Sequence, residues 1–289
     1  MNVFKDKTIL VTGAGGSLGS VLVEKLLNLK PKSIRALGHS ELPLYNLVER
    51  VNHDPRVRPI LRDVMDLDGM RMAMEGVEIV IHTAAVKSVD IAHYNALHAI
   101  RTNVDGTINI VKCALDSPCF ERMIFISSDK ACYPVSLYGA TKMLGEGILN
   151  WAQSISKSKV FCCTRSGNFY GSLMSVLPLW EQQAKEGKPL TITDRGTKRY
   201  FIKINDMADF VLEVLSGARG GEIFIPRKEI MKEYRMVDLA NKISKRHKII
   251  GLRPGERLIE PLWTQEERSG VSYNGKFYTL NNPFTKKHY

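Results

Sequence analysis

Three observations on this 289-residue chain predict an α/β fold with a doubly wound parallel sheet. Short apolar segments rich in β-branched residues recur through residues 1–167, and helical patterns of apolar residues separate them. A glycine-rich turn joins the first segment to the first helix. Beyond residue 168 the order of elements becomes irregular, which predicts a smaller second lobe. Strands and helices that alternate in this way form parallel sheets with helices on both faces.

The glycine turn follows the first predicted strand, residues 8–12, and has the spacing of a dinucleotide-binding turn of the Rossmann type. Its first glycine permits a tight turn, a later one lets the backbone approach a diphosphate, and the last allows close helix packing. The diphosphate would lie at the positive end of the following helix. The alternative is a turn without a ligand. We assign to cofactor contact Gly13, Gly15, Gly16, Ser17, Leu18 and Gly19.

The second predicted strand, residues 33–37, leads into Gly38, His39 and Ser40 without an acidic residue at its end. A carboxylate there would bind the ribose hydroxyls of NAD and repel the 2′-phosphate of NADP. His39 and Ser40, with Arg35 nearby, can instead donate hydrogen bonds to that phosphate. We therefore expect NADP, with NAD as the less favoured cofactor, although an acidic residue follows at position 41.

Four more strands are predicted at residues 57–61, 78–82, 123–126 and 159–165. The first of these leads to Asp63 and Val64, where we place the adenine of the dinucleotide. The next leads to Ala84 and Ala85, whose small side chains allow the cofactor to approach closely. Because the carboxyl ends of parallel strands share one edge of the sheet, these residues and the glycine turn should lie together.

The predicted boundary divides the chain into a dinucleotide-binding domain, residues 1–167, and a substrate-binding lobe, residues 168–289. Part of the segment 201–227 is expected to return to the main sheet. The remaining helices are predicted at residues 93–115, 176–187, 206–215 and 237–246, and the remaining strands at residues 190–193 and 222–226. The helix at 93–115 carries Asn103, and an asparagine within a helix is more often exposed than functional.

Chemistry is predicted at the end of the fifth strand, where Ser128, Asp129 and Lys130 follow an apolar run. Tyr138 and Lys142 come next, spaced i, i+4 so that a helix would place them on one face. The tyrosine and lysine spacing is a weak motif alone and gains weight from the glycine turn. An ammonium beside a phenol favours the phenolate, so we expect Lys142 to lower the pKa of Tyr138 below its usual value of about 10.

Composition excludes several other classes of protein. The net charge of +11 is spread along the chain without a basic tail, which argues against nucleic-acid binding. No apolar run approaches the roughly 18 residues of a membrane span, and the first residues lack a signal-peptide core. Five cysteines without metal-ligand spacing fit reduced thiols, and we expect no metal site. We therefore expect a cytoplasmic protein.

The glycine turn, Asn103, Ser128, Tyr138 and Lys142 together resemble the extended short-chain dehydrogenase/reductase superfamily. Further stretches look like the inverting, 5-epimerising UDP-N-acetylglucosamine 4,6-dehydratases: residues 84–87, 100–104, 128–131, 137–142, 165–168, 192–201 and 251–256. The resemblance covers nearly the whole chain. It departs from the family pattern at Ser128, where threonine is common, and at Tyr133, where asparagine is common. The related retaining enzymes typically lack the tyrosine that stands here at position 138.

The resemblance implies a reaction in which C4 of the sugar is transiently oxidised by bound NADP. Tyr138, assisted by Lys142, would remove the O4 proton. Lys130 would then take the C5 proton while Asp129 protonates the departing 6-hydroxyl group, and Ser128 supplies a hydroxyl. A neutral aspartic acid and a neutral lysine are needed, and both are favoured by burial in a dry site. The product would be UDP-2-acetamido-2,6-dideoxy-β-L-arabino-hexos-4-ulose.

The same resemblance assigns the remaining site residues. The cofactor would also contact Ala84, Ala85, Lys87, Asn103, Tyr138 and Lys142. The arginines at 199 and 253 would bind the diphosphate, and Glu256 the uridine ribose. The expected substrate contacts are Lys87, Asn168, Ser175, Val176, Thr193, Arg199, Arg253 and Glu256. A homo-oligomer is also expected.

Two other functions stay open at this point. A UDP-sugar 4-epimerase on the same scaffold would use Tyr138 and Lys142 but has no need for Asp129 and Lys130. A non-catalytic NADP-sensing protein would need neither pair. Product analysis separates the three, because an epimerase yields an isomer of equal mass, a dehydratase a product lighter by one water, and a sensor no product.

Overall fold

The computed structural model describes residues 2–172 and 175–281 and confirms the predicted α/β class. The strands are β1 Thr8–Thr12, β2 Ser33–Gly38, β3 Val57–Leu61, β4 Ile79–His82, β5 Arg122–Ile126, β6 Val160–Thr164, β7 Asn168–Tyr170, β8 Leu190–Ile192, β9 Lys198–Lys203, β10 Glu222–Pro226, β11 Met231–Arg235, β12 His247–Ile249, β13 Val271–Tyr273 and β14 Phe277–Asn281. The α-helices are α1 Ser17–Leu27, α2 Glu41–Arg50, α3 Leu67–Met74, α4 Val89–Tyr94, α5 Ala96–Ile100, α6 Gly106–Asp116, α7 Leu137–Ile155, α8 Val176–Lys185, α9 Ile204–Gly217 and α10 Met236–Ala240.

Nine strands form the main sheet in the order β13-β14-β10-β6-β5-β4-β1-β2-β3. The seven from β10 to β3 pair in parallel, and β14 and β13 add an antiparallel edge. Strand β1 is buried along its whole length, as expected for a strand with helices on both faces. The strand order reverses between β1 and β4. Ligands of open α/β sheets bind in the crevice that such a reversal leaves at the carboxyl edge.

A second group of elements follows β6. Strands β11, β9 and β7 form a three-stranded sheet, and β12 pairs with β8. Their own apolar cluster surrounds Trp180, whose indole N–H donates to the Thr191 carbonyl at 2.7 Å. Strand β10 lies beside β6 in the main sheet. The β13-β14 hairpin extends the same sheet, since β14 pairs with β10. The proposed division of the chain at residue 168 stays a prediction.

The predicted helix at residues 93–115 is interrupted twice. It breaks at Asn95, whose backbone is not helical (φ −122°, ψ 48°), so that α4 and α5 are separate. Between α5 and α6 the chain widens into a π-helical turn, Arg101–Asp105. Single π turns inside α-helices are frequent at functional sites. The helix predicted at 237–246 is also shorter, since α10 ends at Ala240.

A buried ion cluster joins β6, α7 and the C-terminal segment. The Arg165 guanidinium donates to Glu146 at 2.6 Å and to Glu267 at 2.8 Å, and also to the Leu262 carbonyl at 3.0 Å. Arg165 is 2% exposed and Glu146 is 4% exposed. The Ser127 hydroxyl donates to Glu146 at 2.6 Å. Every buried charge in this cluster is therefore paired, which the cost of burying a bare ion requires.

We expect Arg165→Met to lower the free energy of unfolding by about 3–5 kcal/mol, because it leaves the buried Glu146 carboxylate without its counter-ion. Urea unfolding followed by circular dichroism measures the loss. Lys276→Met is the control, since it breaks an exposed pair with Glu213 and should leave the transition midpoint nearly unchanged. A midpoint for Arg165→Met equal to that of the control would contradict this account.

Candidate active site

The glycine turn has the geometry that its spacing predicts. Gly13 has φ +66°, and a Cβ there would lie 2.8 Å from the Ala84 nitrogen. A Cβ on Gly19 would lie 2.3 Å from the Gly13 carbonyl oxygen, so α1 packs against the turn at a distance that only glycine allows. Helix α1 begins after Gly16, which has no side chain to cap it, and carries no acidic residue in its first turn. This cradle fits the diphosphate of a dinucleotide.

The residues predicted around the adenosine lie at the ends of neighbouring strands. His39 is exposed, and Ser40 directly precedes α2. The Asp63 carboxylate accepts from the Met65 N–H at 2.9 Å, and Val64 is buried. Arg35 does not reach this edge, because its guanidinium donates to the Ala73 carbonyl at 2.7 Å. The idea that Arg35 helps to bind a 2′-phosphate is therefore wrong.

Asn103 lies in the π turn and is buried, not exposed, at 2% accessibility. Its carboxamide accepts from the Val86 N–H at 2.8 Å and donates to the Val86 carbonyl at 3.0 Å. It also donates to the Thr141 hydroxyl at 2.9 Å, which in turn donates to the Tyr138 carbonyl at 2.8 Å. The side chain thus ties the loop after β4 to α7. Both of its amide hydrogens are used within the protein, so the structure assigns it to positioning the predicted cofactor loop.

A second series of bonds reaches Asn103 from β1. The Thr12 hydroxyl and His82 Nδ1 are 2.6 Å apart, and His82 Nε2 lies 3.0 Å from the Thr107 hydroxyl. The Thr107 hydroxyl donates to the Asn103 carbonyl at 2.7 Å. Burial lowers the pKa of His82 to about 3, and the Lys142 charge adds to this effect. The imidazole is therefore neutral and bonded at both nitrogens.

Ser128, Asp129 and Lys130 lie where β5 ends, in a short 3-10 turn. The Asp129 carboxylate is fully buried and accepts through Oδ1 from the Ser128 hydroxyl at 2.9 Å and from Lys130 Nζ at 3.0 Å. Its Oδ2 is buried without a hydrogen-bond partner in the part of the chain that the structure describes. A buried carboxylate oxygen left open in this way is suited to a substrate hydroxyl.

The expected neutral states of Asp129 and Lys130 are not those of the structure, where the two form an ion pair. Burial lowers the pKa of Lys130, but the charges of Asp129 and Glu260, the hydrogen bond to Asp129 and the neighbouring Tyr138 raise it by more. The net direction is upward. Desolvation alone, on which the expectation rested, is outweighed by the two carboxylates.

The expected effect of Lys142 on Tyr138 is also wrong. Burial raises the pKa of Tyr138; the Lys130 charge and a hydrogen bond with Ser128 lower it, while Asp129 raises it. Lys142 donates instead to the Ile126 carbonyl at 2.7 Å, and burial lowers its pKa to about 8. The positive charge that acts on the phenol therefore comes from Lys130.

Two residues predicted to bind the substrate, Arg199 and Glu256, form a hydrogen bond with each other. Arg199 is 7% exposed and donates to the carbonyls of residues 198, 257 and 258 and to the Glu256 carboxylate at 2.9 Å. Glu256 also accepts from the Thr193 hydroxyl at 3.0 Å. Arg253 is exposed and lies 3.5 Å from Asp90. The structure thus uses Arg199 to hold the segment 256–258, which differs from the predicted contact with a diphosphate.

The remaining predicted substrate contacts occupy different surroundings. Lys87 is exposed, and Asn168 donates weakly to the Tyr200 carbonyl at 3.4 Å. Ser175 directly precedes α8, whose first residue is Val176. The Ser175 hydroxyl is buried with no hydrogen-bond partner among the described residues. The structure does not test whether a sugar binds to these side chains, so their roles stay predictions.

Glu260 was missed by sequence reasoning. It is 3% exposed and faces Asp129 and Lys130, whereas the apolar Leu258 and Ile259 before it are 44% and 49% exposed. This reverses the usual burial pattern, so no periodicity could have identified the residue. Tyr133 was noted only as a departure from the family pattern. It adopts φ +49° and its hydroxyl hydrogen-bonds with the Glu266 side chain at 2.5 Å.

Within residues 2–172 and 175–281, no set of three or more histidine, cysteine, aspartate or glutamate side chains is placed to bind a metal ion. In the same ranges no helix is both long and apolar enough to cross a membrane.

The sheet order, the glycine cradle and the Ser128, Tyr138 and Lys142 constellation define a dinucleotide-binding protein of the short-chain dehydrogenase/reductase type. The chain belongs to the polysaccharide biosynthesis protein family, whose model matches residues 9–282.

Several known proteins are similar to this chain. The inverting UDP-N-acetylglucosamine 4,6-dehydratase of Campylobacter jejuni subsp. jejuni serotype O:2 is 38% identical, over 98% of this chain and 85% of its own length. An uncharacterized membrane protein of Methanocaldococcus jannaschii is 40% identical, over 92% of this chain and 83% of its own. The X-ray structure of Pen from Bacillus thuringiensis is 32% identical with a TM-score of 0.90, over 98% of this chain and 92% of that one.

Proposed function

We propose that the protein dehydrates UDP-N-acetylglucosamine to a UDP-4-keto-6-deoxy sugar, with inversion at C5, as a first step towards a 6-deoxy amino sugar for glycan synthesis. The observation that carries the proposal is the ion pair beside Tyr138 that the buried Asp129 forms with the half-buried Lys130. Oxidation at C4 needs only a base such as Tyr138, whereas loss of water needs a second acid and base. The similarity to the Campylobacter enzyme supports the same substrate class.

Tyr138 is the group that takes the O4 proton when C4 is oxidised. A nicotinamide cofactor held by the glycine turn would accept the hydride from C4 and, after water has left, return it to C6 of the resulting enone. Lys130 makes this proton transfer easier, because its charge and the Ser128 hydroxyl both oppose the rise in the Tyr138 pKa.

The elimination begins with a proton transfer within the ion pair. Transfer of a proton from Lys130 Nζ to Asp129, across the existing 3.0 Å hydrogen bond, leaves both groups neutral. Lys130 then takes the C5 proton, which the C4 ketone has made acidic, and Asp129 gives its proton to the departing 6-hydroxyl. Water leaves and the original ion pair is restored. The charged pair of the structure is therefore the state in which each elimination starts and ends.

Inversion at C5 requires that the proton return on the face opposite to the one it left. Tyr138, protonated in the oxidation step, is the candidate donor, and Lys130 is the acceptor. Two separate proton-handling groups are needed because a single group would return the proton to the same face.

Incubation with UDP-N-acetylglucosamine in D₂O tests the function. We expect a product that has lost one water relative to the substrate and that carries one solvent deuteron at C5. An early proton spectrum should show the L-arabino configuration. A product of equal mass would instead identify a 4-epimerase, and no product at all a non-catalytic protein. D-xylo coupling at C5 would refute inversion while leaving dehydration intact.

Asp129→Asn and Lys130→Ala should each slow water loss by about 10²- to 10⁴-fold, because each removes one half of the acid and base pair. Dinucleotide binding, measured by calorimetry, should be unchanged. Lys188→Ala, which removes an exposed lysine paired with Glu186, is the control and should keep full activity. Dehydration near the wild-type rate in either site variant would exclude the proposed elimination.

We also propose NADP as the preferred cofactor. Strand β2 ends at Gly38, and residues 38–40 carry no carboxylate. Ser40 precedes α2 in an extended conformation that aspartate also favours at a helix start, so Ser40→Asp should fold normally. Its charge should weaken NADP binding at least tenfold while sparing NAD, and the neutral Ser40→Asn should not. Equal affinity of the wild type for both dinucleotides, measured by calorimetry, would count against the proposal.

A further inference from the structure

Glu260 reaches the site from a segment that β9 fixes in place. The Lys198 N–H donates to the Leu258 carbonyl at 2.8 Å, and Ile259 forms a parallel bridge with Lys198. Arg199 adds a bond to the Leu258 carbonyl at 3.0 Å. These contacts turn the side chains of residues 258 and 259 to solvent and that of Glu260 inward, where only 3% of it is exposed.

Four charged groups face the buried Glu260 carboxylate. Asp129 and Lys130 approach from the 3-10 turn after β5, Arg199 from β9, and Arg257 from its own segment. Burial raises the pKa of Glu260, and the charges of Lys130, Arg199 and Arg257 oppose this rise while Asp129 adds to it. With three cations against one other anion, the carboxylate has the partners that an ionised buried group requires.

We propose that Glu260 acts through the Asp129 and Lys130 pair, holding its proton in place and so setting the pH range over which the pair can perform the elimination. The inference rests on the proposed dehydratase function and extends it to a residue outside the acid and base pair. A negative charge favours the protonated form of every neighbouring group.

The elimination described above needs one proton on the pair, neither two nor none. Activity should therefore fall at high pH, where the pair loses its only proton. This limit belongs to the pair as a unit, since its members share one proton. Tyr138 also faces Lys130 and contributes to the same limb of the profile. Because Glu260 is negative at high pH, its removal should move this limit towards lower pH.

The test compares pH profiles of kcat/KM for water loss in the wild type, Glu260→Gln, Glu260→Asp and Glu229→Gln. We expect the high-pH limb of Glu260→Gln to move to lower pH by about one unit, because the substitution removes one adjacent negative charge. Glu260→Asp keeps the charge and should restore the wild-type limb. Glu229→Gln removes an exposed acid and should behave as the wild type. A purely structural role would lower the plateau of Glu260→Gln without moving this limb, and that result would overturn the proposal.

A second readout does not depend on turnover. The rate at which acetic anhydride acetylates Lys130, followed by peptide mass spectrometry against pH, reports the titration of its amine directly. The Lys130 pKa should be lower in Glu260→Gln than in the wild type and in Glu260→Asp. If the wild type never dehydrates the sugar but this shift is found, the proposed function fails while the electrostatic coupling stands. An unchanged Lys130 titration would overturn the coupling itself.

Discussion

The Asn103 carboxamide is the interaction on which the geometry of the site depends. Three hydrogen bonds from one side chain fix the loop after β4 and the first turns of α7 relative to each other. The loop carries predicted cofactor contacts, and the helix carries Tyr138. The Asn103 side chain lies inside the protein at the π turn Arg101–Asp105, which interrupts the regular α-helical spacing of side chains. A small irregularity in one helix thus aligns two functional parts.

Charge balance is the second constraint. The site buries the carboxylates of Asp129 and Glu260 and half-buries the amine of Lys130, and the Arg165 cluster buries a second set of charges that includes Glu146 of α7. Neither set would be stable with one member missing, since an unpaired buried ion costs several kcal/mol. In the proposed elimination, the proton is consequently taken from an ion pair that is already satisfied. Such an arrangement would let the protein hold the two proposed reactive groups without burying an unpaired charge.

Local sequence patterns were sufficient for the seven parallel strands of the main sheet, but they did not predict β13 and β14 at its edge. Strands β1, β3 and β10 begin and end at the predicted residues, and in β1 and β10 the cause is a short apolar run bounded by turns. The glycine turn was equally clear, since its backbone geometry demands glycine. Contacts between distant segments were not predictable. Nothing near Arg199 in the chain shows that it will be saturated by carbonyls some sixty residues away, and nothing near Glu260 shows that it will be buried.

The β13-β14 hairpin has a consequence for the order in which the molecule can be built. Strand β14 pairs with β10 at the edge of the main sheet, and Glu267 next to the hairpin closes the ion cluster with Arg165 across 102 residues of chain. Contacts this distant in sequence are slow to form, because a long loop must close before they contribute. The strands paired within residues 8–164 can therefore assemble early, while the hairpin edge of the sheet and the Arg165 cluster must wait until residues 262–281 have been made. Completion of the buried ion cluster is in this sense a late event in the folding of each molecule.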